Sequence, residues 1–227
     1  MHSIILNDTM LNGILFDADG TLFDTEGMHF QAWADVLKKY GASLSRKEYL
    51  KYAGKSGPDI ELALISAYGL DAMEGDIMSK KRELVRQRFA ASPVPLMPYA
   101  EEAVRFFHLH AMKLAAVSGS SQEELDLKMS MSHLSDFFTC KIAVSGRIRG
   151  KPHPDLYRKA LEILDLKSGQ CIAFEDTRTG VQAAKAANLF TIAVPNEFTK
   201  GQDFSNADKV FGSMEEAVAF VRHENLL

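Results

Sequence analysis

Cysteine is scarce in this chain. Cys140 and Cys171 are the only two, no metal-ligand spacing surrounds them, and both flank or enter apolar runs. They read as reduced core thiols. A basic excess is also missing: the formal net charge is −4, which excludes the electrostatic footprint of a nucleic-acid binder. Long apolar runs are lacking too. The longest are short, as in Lys113-Leu-Ala-Ala-Val, so no membrane partner is expected. The N-terminal stretch MHSIILNDTM has no basic segment leading into a long apolar one, so no secretory leader is expected and the location reads as cytoplasmic. What remains is 227 residues, 46% hydrophobic and 25% charged. That suits one large globular domain, or a domain carrying a sizeable insertion.

Short continuous apolar runs recur, each followed by a turn and a helical pattern. They are Gly13-Ile-Leu-Phe, Leu114-Ala-Ala-Val, Lys141-Ile-Ala-Val, Cys171-Ile-Ala-Phe and Phe190-Thr-Ile-Ala-Val. Runs without alternation suit strands buried on both faces of a parallel sheet. Helical patterns cover Ala100–His110, Glu123–Met131, Asp155–Leu164 and Gly180–Ala187, with capping-box spacing at Ser121/Glu124 and Ser213/Glu216. The alternation predicts a doubly wound, Rossmann-like α/β core. Between about Glu26 and Ser92 there is helical periodicity alone. Met28, Trp33, Val36, Leu37 and Tyr40 share one face, Ser45 and Glu48 form another capping box, and Pro58–Ala67 and Ala72–Phe89 complete roughly four helices. The proline-rich stretch SPVPLMP then ends the helices and leads back to the sheet. The expected division is a core of residues 1–25 and 93–227 and an inserted helical cap of residues 26–92.

Three predicted strand ends and one loop carry unusual residues. ILFDADGTLFDTE places Asp17, Asp19, Asp24 and Glu26 directly after a buried-looking run, an arrangement that needs a positive partner among the carboxylates. Asp24, like Asp155 before its helix, reads as a cap or solvated turn. Asp17 and Asp19 are two apart, so in extended chain they project to one side. With Asp176 and Glu175 they offer enough oxygen ligands for a hard divalent cation such as Mg²⁺. Ser118, Gly119 and the following serines supply a hydroxyl and backbone N–H groups before a helix, an oxyanion cradle. Lys151, in the stiff GKPHPD loop, would balance a carboxylate nucleophile or a phosphate.

Together DADGT at 17–21, AAVSGSS, GKPHPD and FEDTRTG resemble, in order and across almost the whole chain, the four motifs of the haloacid dehalogenase superfamily. The helical insertion resembles the C1-type cap of the subgroup containing β-phosphoglucomutase and phosphoglycolate phosphatase. The resemblance implies a phosphatase acting through an aspartyl-phosphate. Asp17 would be the nucleophile, and Asp19 the acid that protonates the leaving oxygen and then the base that activates water. Mg²⁺ would be held by the Asp17 carboxylate, the Asp19 backbone carbonyl and Asp176, with Glu175 direct or through water. Ser118 and Lys151 would bind phosphate oxygens, and Lys151 would also orient Asp17. An acid at position 19 favours phosphoryl transfer over halide displacement, which needs no proton donor. Phosphonate hydrolysis would require a Schiff-base lysine, and among Lys38, Lys39, Lys55, Lys80 and Lys81 nothing in the sequence singles one out as desolvated.

His29 aligns with a histidine of the mutase and many related phosphatases, and equally suits a helix-face position packed beside Trp33. In the AGKSGPD loop, Gly57 stands where the mutase pattern has an arginine for a second phosphate; Lys55 or Lys80 would have to replace it. The expected partner is a small phosphorylated metabolite, a sugar phosphate or similar, and the expected assembly a monomer or weak dimer. The alternatives are a β-phosphoglucomutase-type isomerase and a non-catalytic phosphate-binding protein, the latter at odds with the intact acids and Lys151.

Overall fold

Residues 10–223 are described by a computed structural model. Six parallel strands form one sheet, and their chain order explains where a site forms. The strands are β1 (Gly13–Asp17), β2 (Lys113–Ser121), β3 (Cys140–Val144), β4 (Cys171–Glu175), β5 (Phe190–Ala193) and β6 (Lys209–Val210), arranged β3-β2-β1-β4-β5-β6. From β1 the chain winds outward to β2 and β3, then returns to the other side for β4, β5 and β6. The strand order therefore reverses between β1 and β4, and ligands in such sheets bind at the carboxyl ends beside that reversal.

Alternation along the strands divides the core into two layers. Ile14 and Phe16 of β1 face one side with Phe107 of α5 (Ala100–Leu109), Leu125 of α6 (Gln122–Met131) and Val218 of α9 (Met214–His223). Leu15 faces the other, with Leu156 and Tyr157 of α7 (Asp155–Leu164) and Ala183 and Ala184 of α8 (Arg178–Ala186). Both faces are covered, which is why the strands read as unbroken apolar runs. Cys140 and Cys171 are buried free thiols in the second layer. The doubly wound class read from the sequence is the one observed, and only the two-residue β6 went unread.

The segment after β1 is helical: α1 (Glu26–Lys39), α2 (Arg46–Tyr49), α3 (Gly57–Tyr68) and α4 (Asp76–Ala91). Trp33, Val36, Leu37, Leu64 and Ile77 build a separate core for these helices. The Ser45/Glu48 capping box forms with both of its bonds. Helix α4 starts later than the periodicity from Ala72 implied, because Gly75, at φ 93°, turns the chain into it. Its first turn is capped from a distance: the buried Glu61 carboxylate of α3 accepts from the N–H groups of Gly75, Ile77 and Met78 at 2.9, 2.9 and 2.8 Å. Among the described residues, no helix is long and apolar enough to cross a membrane.

Candidate active site

Strand β1 delivers Asp17 to the carboxyl edge of the sheet, and the chain then leaves the strand at once. Leu22 and Phe23 N–H both donate to the Ala18 carbonyl at 3.0 and 2.9 Å, closing a tight turn. Gly20 sits in it at φ 87°, and a Cβ there would lie 2.2 Å from Asp176 Oδ2. Only glycine lets this turn lie against the end of β4.

The adjacent strands β1 and β4 thereby bring Asp17, Glu175 and Asp176 together, with carboxylate oxygens within 4.8 Å of one another. Lys151, from the loop after β3, donates to Asp17 Oδ1 and lies 2.6 Å from Glu175 Oε1, so one ammonium bridges both carboxylates. The Tyr157 hydroxyl holds the same Glu175 oxygen at 2.5 Å. Arg149, clamped on Asp155 at 2.7 and 2.8 Å, braces the lysine loop. Even so the cluster is short of positive charge. Burial pushes the Asp17 carboxyl up to about 8 despite Lys151, with Glu175 adding to the effect. Burial, then Asp17 and Glu175, also raises Asp176 well above the usual range. Two buried oxygens, Asp17 Oδ2 and Asp176 Oδ1, have no hydrogen-bond partner. Orphaned oxygens in an all-carboxylate set fit a hard divalent cation.

Asp19 points elsewhere. The turn removes it from the extended geometry that a spacing of two assumes, so its side chain does not join that of Asp17. Lys128 Nζ of α6 lies 2.5 and 2.6 Å from its two oxygens. Thr25 donates to Oδ1 at 2.6 Å and Ser118 to Oδ2 at 3.2 Å. His29 Nε2 is 3.7 Å from Oδ1. Burial works against the charged form, but Lys128 and then His29 outweigh it and hold this carboxyl well below its usual range. Lys128 is wholly buried, and no feature of the sequence had marked it. Glu124 joins the group, 3.3 Å from Lys128 and 3.5 Å from His29. The expected capping box is therefore half made: Ser121 accepts from the Glu124 N–H, while the Glu124 carboxylate turns to the cations.

The helical segment supplies His29 and Lys81. His29 packs edge-on to Phe89, with its Nδ1 2.9 Å from Lys81 Nζ and its Nε2 facing Asp19 and Glu124. Lys81 is the desolvated lysine the sequence had not singled out, its pKa lowered by burial. Lys55 is not brought in. It is exposed, with its ammonium 5.6 Å from the Tyr52 ring, because its loop docks by backbone instead: Thr179 and Gln202 donate to the carbonyls of Gly54 and Ala53 at 2.6 and 3.1 Å. Lys80 bonds the Tyr40 hydroxyl. Ser118 and Gly119 lie at the end of β2. Ser118 Oγ already accepts the Ser120 N–H at 3.0 Å, so that donor is not free for an anion. Beside Gly119 an added Cβ would meet nothing within 4 Å, so there is open space on that side of the residue.

A doubly wound sheet with a carboxylate–lysine centre at its switch point, covered by inserted helices, defines an α/β enzyme class. Residues 11–188 match the family of haloacid dehalogenase-like hydrolases, and the chain belongs to that family. It is 30% identical over 207 residues to protein CbbY of Rhodobacter capsulatus, covering 87% of this chain and 91% of that protein. It is also 30% identical to hexitol phosphatase B of Escherichia coli, covering 90% and 93%. The crystal structure of a CbbY mutant from Rhodobacter sphaeroides, in complex with xylulose-(1,5)bisphosphate, is similar with a TM-score of 0.80 at 26% identity, covering 90% of this chain and 95% of that one.

Proposed function

We propose that the protein hydrolyses the phosphomonoester of a small metabolite, a sugar phosphate or related ester, through an aspartyl-phosphate on Asp17. The observation that carries this reading is the Asp17 carboxylate, fixed on one oxygen by Lys151 and left without a partner on the other. The resemblance to hexitol phosphatase B and to a sugar-bisphosphate-binding CbbY structure supports the substrate class.

In the first step Asp17 Oδ2 attacks phosphorus, and the bond from phosphorus to the leaving oxygen breaks as Asp19 gives that oxygen a proton. In the second, Asp19 takes a proton from the attacking water, whose oxygen bonds to phosphorus while the acyl–phosphate bond breaks and phosphate leaves. Asp19 as held here by Lys128 is in the second step's basic form, and it takes up a proton before acting as the acid. Lys151 orients Asp17 and neutralises phosphate oxygens, with Ser118 and the Gly119 N–H as further donors. Asp17, Asp176, the Asp19 carbonyl and Glu175, directly or through water, are the residues to hold Mg²⁺, which supplies shielding of the carboxylate from the incoming dianion. Residues 26–92 act as the cap over the core of 1–25 and 93–227. The isomerase alternative has less support: Gly57 offers no side chain for a second phosphate, Lys55 is exposed beside Tyr52, and Lys80 bonds Tyr40.

The test is phosphate release from a panel of phosphorylated metabolites with added Mg²⁺, comparing wild type with Asp17→Asn. Release from sugar phosphates that the substitution abolishes is the expected outcome. A variant that keeps substantial turnover rules out covalent catalysis at Asp17.

A further inference from the structure

Helix α6 sets Glu124 and Lys128 one turn apart along the edge of the site. Glu124 shares Lys128 with Asp19, at 3.3 Å against 2.5 Å, and also faces His29. Burial opposes its charge, but Lys128, His29 and Lys81 together outweigh burial and lower its pKa, so it is a carboxylate at neutral pH. The two buried lysines of this group, Lys81 and Lys128, thus lie among three carboxylates, Asp19, Glu26 and Glu124. On its other side Glu124 lines a cavity of about 590 Å³ between α4 and α6, where Glu61, Glu74, Glu83 and Glu123 outnumber Arg82 and Arg86. That volume is ample for a sugar-sized group.

The leaving oxygen of a substrate must meet Asp19, so whatever is bonded to the adjacent carbon meets Glu124 and its cations. Alternating carboxylate and ammonium groups offer acceptors and donors to hydroxyls. An anion in that position meets the Glu124 carboxylate in a cavity whose acids outnumber its two arginines, and such like-charge contacts are strongly unfavourable.

We propose that Glu124 is a specificity-determining residue, one that selects phosphoesters whose leaving group is uncharged and hydroxylated beside the ester carbon and rejects those carrying a carboxylate there. The proposal rests on the phosphomonoesterase reading above and adds a choice among substrates, favouring polyol and sugar phosphates over phosphorylated hydroxy acids. Its logic is exclusion by a fixed charge as much as attraction of the preferred group.

The test uses a matched pair, 2-hydroxyethyl phosphate and 2-phosphoglycolate, which differ by a hydroxymethyl against a carboxylate. Wild type should favour the hydroxyethyl ester in kcat/KM by about tenfold or more. Glu124→Gln, which keeps the shape and removes the charge, should reduce that ratio by about tenfold, and Glu124→Asp, which restores the charge, should keep most of it. Calorimetric Kd values for the same pair in an Asp17→Asn background read the preference without turnover. A wild-type preference for phosphoglycolate, or a ratio that Glu124→Gln leaves unchanged, overturns the proposal. A protein without turnover that still discriminates through Glu124 overturns the hydrolase reading and not this one. Neither binding nor turnover of either ester sinks both.

Discussion

Lys128 Nζ holds both carboxylate oxygens of Asp19, at 2.5 and 2.6 Å, from a helix that belongs to the sheet domain and not to the inserted helices. The lysine is wholly buried and the aspartate partly so, and breaking a buried pair leaves an uncompensated charge. Lys128→Met should lower stability by about 3 kcal/mol at neutral pH, as read by urea unfolding. Asp19 is held below its ordinary value of 3.8, so its stabilising contribution is present above that pH and is lost on acidification below it. The gap between wild type and variant should therefore shrink towards pH 3. A gap of equal size at both pH values would show that Lys128 contributes packing alone.

Asp17 behaves in the opposite sense. Its folded pKa is pushed up from 3.8 to about 8, so the folded protein holds a proton that the unfolded chain has released across that window. Stability then falls as pH rises from about 4 to 8. Asp17→Asn has no such proton. In EDTA the melting temperature of the variant relative to wild type should rise from pH 5 to pH 8, and Mg²⁺ should stabilise wild type more at pH 8 than the variant. Parallel pH profiles for the two proteins in EDTA would remove Asp17 as the source of the repulsion.

The sheet and its acid-bearing loops were legible because each strand is buried on both faces and each loop departs from the composition of an ordinary turn. The Asp19 environment was not. Glu124 and Lys128 are four apart in a short helix that opens with Ser121, a spacing that normally marks a solvent-exposed pair and a cap. Only the inserted helices lying over α6 turn that surface pattern into a buried network. Lys81 was hidden for the same reason, as one of several lysines on a helix whose neighbours in space come from distant sequence. Lys55 failed in the other direction. Its loop suggested a substrate contact, but the loop docks by the Ala53 and Gly54 carbonyls and leaves the ammonium beside Tyr52.

Glu61 illustrates a cap that sequence cannot reveal, since it lies 14 to 17 residues before the N–H groups it satisfies. Glu61→Ala removes three acceptor contacts inside the helical segment, whose donors are then left short of partners. A loss of about 2 kcal/mol in thermal or urea unfolding is expected, with Mg²⁺ affinity unaffected because Glu61 bonds the start of α4 and is not a member of the Asp17, Glu175 and Asp176 cluster. Stability within 0.5 kcal/mol of wild type, roughly the scatter of surface substitutions, would mean that water replaces the carboxylate without loss.

Asn196 follows the end of β5 and sets the orientation of Asp176. Its Oδ1 accepts from the Phe198 N–H at 2.8 Å and its own N–H donates to Thr199 Oγ1 at 3.0 Å. The amide is thereby fixed with Nδ2 directed at Asp176 Oδ2, 2.7 Å away, and at the Gly20 carbonyl, 3.2 Å away. One oxygen of Asp176 is engaged and the other, Oδ1, is left without a partner, and the same amide ties the end of β4 to the turn after β1. Groups that orient a metal-ligating carboxylate in this way are worth about 10–100-fold in affinity. Asn196→Ala should weaken Mg²⁺ binding by that factor when titrated calorimetrically without substrate, while Asp176→Asn should abolish it. Asn196→Asp should not restore it, because a second carboxylate offers no hydrogen to Asp176 and adds repulsion. Mg²⁺ binding by Asn196→Ala at wild-type affinity would show that Asp176 is positioned by its strand alone, and the amide would then be a loop contact without influence on the ion.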